Sequence, residues 1–241
     1  MTPTANSVIV EAVIDASTTD VRVIVQTTSG AQSQQKDVKG ARLTITTPDA
    51  RTLVGAEEQD TIPPRFVGAV PVVNTRYRVS FVDVGGVAPG GRYLLHITLP
   101  DGREVDGATT VPTIPNAADA TRFPVLPDFK RESDTLSLTW RSAPGAAAYE
   151  VFVSSSRASF SLFADTSVAL PGRAENSGGV AAFFPGLAHR VVVSAVDANY
   201  YDYYRRSSDF FSGLGIISRL DGAIGVFGSI APVASYSFMV R

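Results

Sequence analysis

Residues 134–156 read "DTLSLTWRSAPGAAAYEVFVSSS". Leu136, Leu138 and Trp140 alternate with Thr135, Ser137 and Thr139. After "APGAA", Tyr149, Val151 and Val153 again fall two residues apart. Period two puts one set of side chains on one face of an extended chain, so both runs read as strands. Proline and glycine between them supply turn chemistry. Trp140 is expected to face inward, with Tyr149 and either Val151 or Phe152 packed against it.

The same texture extends in both directions. "SVIVEAVID", "VRVIVQ", "ARLTITT", "RYRVSFVDV" and "RYLLHITL" precede it. "GVAAFF", "HRVVVSAV" and "ASYSFMV" follow. All are rich in residues that suit a pleated, half-buried surface, and turn-forming clusters separate them. "PDG" at residues 100–102 marks a hairpin, because proline presets φ and glycine takes the positive-φ position. Helical periodicity is nearly absent. The expectation is an all-β chain of two immunoglobulin-like sandwiches in tandem. They would cover residues 1–115 and 128–241, joined at 116–127 by a stiff linker rich in proline.

The 241 residues are 44% hydrophobic and 18% charged, which suffices for real cores and argues against global disorder. A net charge of -2 disfavours nucleic acid, whose binding needs surplus Lys and Arg at the phosphates. The lack of cysteine removes disulfides, thiolate metal sites and Cys nucleophiles. "MTPTANSVIV" has neither the basic start nor the apolar run of a signal peptide. An uncharged stretch at residues 222–239 approaches the length of a spanning helix. Its glycines, Pro232 and the alternation of "ASYSFMV" favour a strand instead.

Three resemblances add to this reading. The 134–156 stretch, with "FPGLAHRVVVSAVDA" further on, resembles a fibronectin type III domain. That family places a corner-closing tyrosine where this chain has His189, which implies a corner role for the imidazole. Gly40, Ala41, Leu43 and Ile45, followed by Pro89, Gly90, Tyr93, Leu95 and Ile97, are similar to transthyretin-like or carboxypeptidase-regulatory-like sandwiches. Gly222, Gly225, Val226, Phe227 and Gly228, with "DANYYDYY", resemble a family of envelope lipoproteins of Gram-negative bacteria of the Bacteroidetes and Gemmatimonadetes type. Ala223 stands where that family usually pairs its glycines. Its genes often lie beside those of TonB-dependent receptors.

That last resemblance implies a compartment and a class of job. The compartment is the periplasm or cell envelope, reached through a membrane partner or a lipid anchor lost before residue 1. The job is that of a non-catalytic accessory or scaffold subunit. Its partner would be an integral membrane complex, either a TonB-dependent transporter or another multi-subunit envelope assembly.

Reactive groups are sparse. His96 and His189 both lie in alternating strand patterns, and neither G-x-S-x-G nor H-E-x-x-H occurs. The glycines of "GAIGVFG" and "GLGIIS" lack the context of a phosphate loop and read as positions of close backbone approach. No catalytic residue, cofactor or metal is expected. Asp197, Asn199 and Asp202 could wrap calcium, but Asp-x-Asn is also a common turn. The remaining candidate is the cluster Tyr200, Tyr201, Tyr203, Tyr204, Arg205 and Arg206. In one reading it follows a turn at "DAN" and continues as an extended segment with tyrosines facing alternately inward and outward. In another it anchors a protein partner, since Tyr and Arg combine large contact area with planar donors. The alternative is a carbohydrate-binding module in which exposed tyrosine rings stack on sugars.

Overall fold

The structure is a computed structural model that describes residues 6–29, 34–62, 72–114, 129–175, 181–205 and 217–241. It is nearly all β. In chain order the strands are β1 (Val8–Asp15), β2 (Asp20–Ser29), β3 (Gln34–Asp37), β4 (Arg42–Thr46), β5 (Thr52–Val54), β6 (Ala56–Ile62), β7 (Val72–Ser80), β8 (Arg92–Thr98) and β9 (Glu104–Thr110). Then come β10 (Thr135–Thr139), β11 (Ala148–Ser155), β12 (Ser159–Ala164), β13 (Ser167–Pro171), β14 (Ala188–Val196), the helix α1 (Ala198–Tyr204) and β15 (Ile224–Met239).

Two compact units emerge, and each is discontinuous in sequence. The first joins residues 1–111 to 197–230; the second joins 112–196 to 231–241. Residues 116–127, expected to be the linker, lie outside the described residues. The last strand contributes its first half to one unit and its second half to the other.

In the first unit, β1 pairs antiparallel with β2 and parallel with the start of β15, from Ile9↔Ile224 to Asp15↔Ile230. Parallel neighbours cannot be joined by a tight hairpin. The strand that opens the chain therefore takes its partner from near the end. β2 continues to β7 and β7 to β6. A separate sheet runs β5-β4-β8-β9. Alternation decides what is buried: Val8, Val10, Ala12 and Ile14 of β1, and Tyr93, Leu95 and Ile97 of β8, all point into the core. The expected hairpin at residues 100–102 joins β8 to β9, with Gly102 at φ +85° and its N–H donating to Leu99 O at 3.0 Å.

In the second unit, β11 pairs with β12 and β14, and β10 pairs with β13. Trp140 is buried and meets Tyr149 with ring centroids 5.4 Å apart. Val151 faces the core, whereas Phe152 is exposed, which settles the choice between them. The His189 ring bonds backbone upstream of it. It is buried, accepts from Phe184 N–H through Nε2 at 3.2 Å and donates Nδ1–H to Leu187 O at 3.1 Å. A carbonyl can only accept, so the proton must sit on Nδ1. Burial lowers the imidazole's pKa, and the bond to Leu187 opposes that shift only partly.

The stretch 222–239 is a strand over nearly its whole length. No helix among the described residues is long and apolar enough to cross a membrane. One local expectation is corrected. "ANYYDYY" is not an extended run of alternating tyrosines but a helix, α1. Asp197 is its N-cap: with extended backbone, it accepts from Tyr200 N–H at 2.9 Å. That satisfies a donor the first turn would otherwise leave orphaned.

Candidate functional site

Helix α1 is held by polar contacts at its N-terminus. Asn199 Nδ2 donates to Ala108 O on β9 at 2.7 Å and to Phe227 O on β15 at 2.8 Å. Asp197 accepts from Thr109 Oγ1 at 2.7 Å and from Ser229 N–H at 3.0 Å. Burial raises the Asp197 pKa, and four hydrogen bonds pull against that. Both residues are committed to protein donors or acceptors. The Asn199 amide nitrogen in particular points at carbonyls, which is the opposite of a cation ligand. The described residues hold no group of three or more His, Asp or Glu placed to bind a metal.

The tyrosines divide by role. Tyr204 donates to Glu11 Oε1 at 2.7 Å, and burial with that carboxylate pushes its pKa upward. Burial, then Glu11, also raises Tyr203. Tyr200 packs at a tilt against Tyr204 with centroids 4.4 Å apart, and its backbone closely approaches Gly228. A Cβ at Gly228 would lie 2.9 Å from Tyr200 N, so glycine there lets the helix seat on the strand. Tyr201 is half-buried and lies under the Arg205 guanidinium, 4.7 Å from ring centre to Cζ. Arg205 is exposed, and Arg206 lies outside the described residues. Interplanar angles of 44° for Tyr200–Tyr204 and 87° for Tyr203–Tyr204 give no flat aromatic platform.

Asp202 ties this helix to a second feature. Its buried carboxylate takes Arg205 at 2.8 Å and Arg219 at 2.5 Å, one on each oxygen. Arg219 in turn lines a cleft of about 460 Å³ with Thr46, Leu94, His96, Asp106, Ala108 and Asp221. The cleft lies on the outer face of the β5-β4-β8-β9 sheet, where register places Thr44, His96 and Asp106 in one row and Thr46, Leu94 and Ala108 in the next. Residue 221 is fixed against β9 by paired backbone bonds between Asp106 and Asp221, 3.1 and 2.9 Å.

His96 Nδ1 donates to Asp106 at 2.8 Å, and Nε2 faces Thr98 Oγ1 at 3.3 Å. The order carboxylate, imidazole, hydroxyl matches a nucleophile relay. Here it follows from ordinary strand geometry, since Asp106 is the cross-strand partner of His96 and Thr98 is two residues along. β8 lies between β4 and β9, so its backbone N–H groups serve the two ladders rather than an oxyanion. The arrangement orients an imidazole on a rigid surface. Arg219, Asp106, Asp221 and Thr46 were not legible as site residues. Alternation does place Leu94, His96 and Asp106 outward, but nothing local brings Arg219 beside them.

Such a chain is an all-β protein whose polar features lie on sheet faces and edges. Residues 1–237 match the family described as "Domain of unknown function (DUF4249)", and the chain belongs to it. No curated protein is a significant match. Among solved structures, one described as "Ca2+-stabilized adhesin helps an Antarctic bacterium reach out and bind ice" is 15% identical, with a TM-score of 0.22. Another, described as "Structural insight into host cell surface retention of a 1.5-MDa bacterial ice-binding adhesin", is 13% identical, also with a TM-score of 0.22. Each alignment covers 100% of this chain, which spans 50% of the first structure's chain and 66% of the second's. Likeness at that level carries no argument about this protein.

Proposed function

We propose that this chain is a non-catalytic accessory or scaffold subunit of a cell-envelope membrane complex, acting through protein–protein contacts. We read its two units as immunoglobulin-like sandwiches that present loops and edges to the partner. The family resemblance in the sequence points to the periplasm or outer surface, to attachment through the partner or a lipid anchor, and to a TonB-dependent transporter or similar assembly.

The observation that supports this reading best is the Tyr201–Arg205 pair. A guanidinium stacked on a phenol ring, and held by the buried Asp202, is a preorganised amphipathic contact of the type that dominates interfaces. We centre the anchor on Tyr201 and Arg205, because Tyr200 and Tyr204 pack against the chain's own strands and Tyr203 packs edge-on against Tyr204. The test is co-purification from native membranes with the full chain as bait. Y201A/R205A should fold and lose the partner. Retention of the same partner by the folded double variant would reject the anchor.

A further inference from the structure

We infer that the cleft on the outer face of the β5-β4-β8-β9 sheet binds a neutral saccharide unit. This goes beyond the partner contact and does not depend on it. The sugar reading available from sequence placed stacking on the tyrosines, whose rings form no platform. The cleft offers different and better-suited chemistry.

Its volume of about 460 Å³ lies within the range of small-ligand sites, roughly 300–1,000 Å³. Its polar groups are held before any ligand arrives. Asp202 fixes Arg219, and Asp106 fixes the His96 ring. Yet each retains capacity. Asp106 uses Oδ1 for His96, which leaves Oδ2 available. Neither the Asp221 carboxylate nor the Thr46 hydroxyl makes a side-chain bond among the described residues. Arg219 has five N–H donors and is half exposed.

The pattern of charge selects the ligand. An anion drawn to Arg219 would meet Asp106 and Asp221, and a cation drawn to those carboxylates would meet the guanidinium. A polyol suits both, because each hydroxyl donates to a carboxylate while accepting from a guanidinium N–H. Adjacent hydroxyls match the two oxygens of the Asp221 carboxylate, or the Arg219 N–H groups that Asp202 leaves free. Leu94, 43% exposed, and Ala108 lie side by side on the same face and give the C–H surface of a sugar ring an apolar strip.

The test is titration of the isotopically labelled full chain with glucose, galactose, N-acetylglucosamine and maltose, followed by amide NMR. At least one sugar should give saturable shifts confined to residues 94–98, 106–108 and 219–221. R219A and D106N should each weaken that binding by about tenfold or more, while Y201A/R205A should not. Should R219A lose its folded spectrum, D106N and T46V decide. No saturable shift at those amides up to about 50 mM sugar overturns the inference. So does equal binding by the D106N variant, or tighter binding of acetate or lysine amide than of any sugar. Partner loss in Y201A/R205A with sugar binding intact, or the reverse, separates this site from the docking surface.

Discussion

Asp197 and Ser229 exchange two hydrogen bonds across 32 positions of sequence. Asp197 N–H donates to Ser229 O at 3.1 Å, and Ser229 N–H donates to the Asp197 carboxylate at 3.0 Å. One side chain therefore caps α1 and fastens β15 at the point where the helix begins. D197A removes the cap and orphans the buried Ser229 N–H. The expected loss is about 2–4 kcal/mol, read as a lower urea midpoint of the first unit by tyrosine near-ultraviolet dichroism. D197N keeps the acceptor and a good cap, so it should lie within about 1 kcal/mol of the parent. The carboxyl's folded pKa lies above its unfolded value, so its stabilising contribution is greatest when protonated and falls as pH rises through the folded pKa. The asparagine variant should lack that decline.

His189 works in the opposite direction. Its folded pKa lies below the unfolded value of about 6.5, so the neutral ring is the stable one in the fold. Stability is complete above pH 6.5 and is lost as pH falls toward the folded pKa, at up to about 1.4 kcal/mol per pH unit. Trp140 is the single tryptophan and lies in the second unit's core, so its fluorescence reports that unit. The urea midpoint by Trp140 should drop between pH 7 and 5 in the parent and drop less in H189Q. Equal drops would show that the acid sensitivity lies elsewhere.

Tyr204 should resist ionisation while the chain is folded. In alkaline titration followed at the phenolate band, the parent and Y204F should coincide until unfolding begins. Beyond it they should differ by one tyrosine. Y204F also gives up the bond to Glu11, which costs about 1 kcal/mol.

Gly225 is paired with Val10 in the parallel ladder at φ +138°. A Cβ there would fall 1.8 Å from Val10 O. No side-chain rotation relieves a clash between a Cβ and a neighbouring backbone, so β1 and β15 must separate. G225A should lose roughly 4 kcal/mol or more, whereas A223G, outside the ladder, should change stability by under about 1 kcal/mol. Thermal unfolding of the two variants side by side checks this.

Several expectations came from alternation alone, and the structure bears them out. β1 and β8 bury every second residue, and Trp140 faces the core with Tyr149 and Val151. The turn at residues 100–102 and the strand character of 222–239 were also readable. These are local matters of periodicity, proline and glycine, and a few neighbouring residues fix them. "ANYYDYY" misled because seven residues make fewer than two helical turns, too short for a 3.6-residue period to show. Its one sequence signal was Asp197, whose side chain caps a helix as readily as it makes a turn.

The sequence by itself determined an all-β chain, its buried faces and a cluster of tyrosines and arginines. Only the tertiary structure decided that β1 pairs with β15, that Asp202 grips Arg219, and that Arg219 stands beside His96 and Asp106. The physical reason is range. A strand's faces follow from the pleat, two residues at a time. Which distant strand satisfies its backbone, and which charge a buried carboxylate captures, depends on the packing of the whole unit.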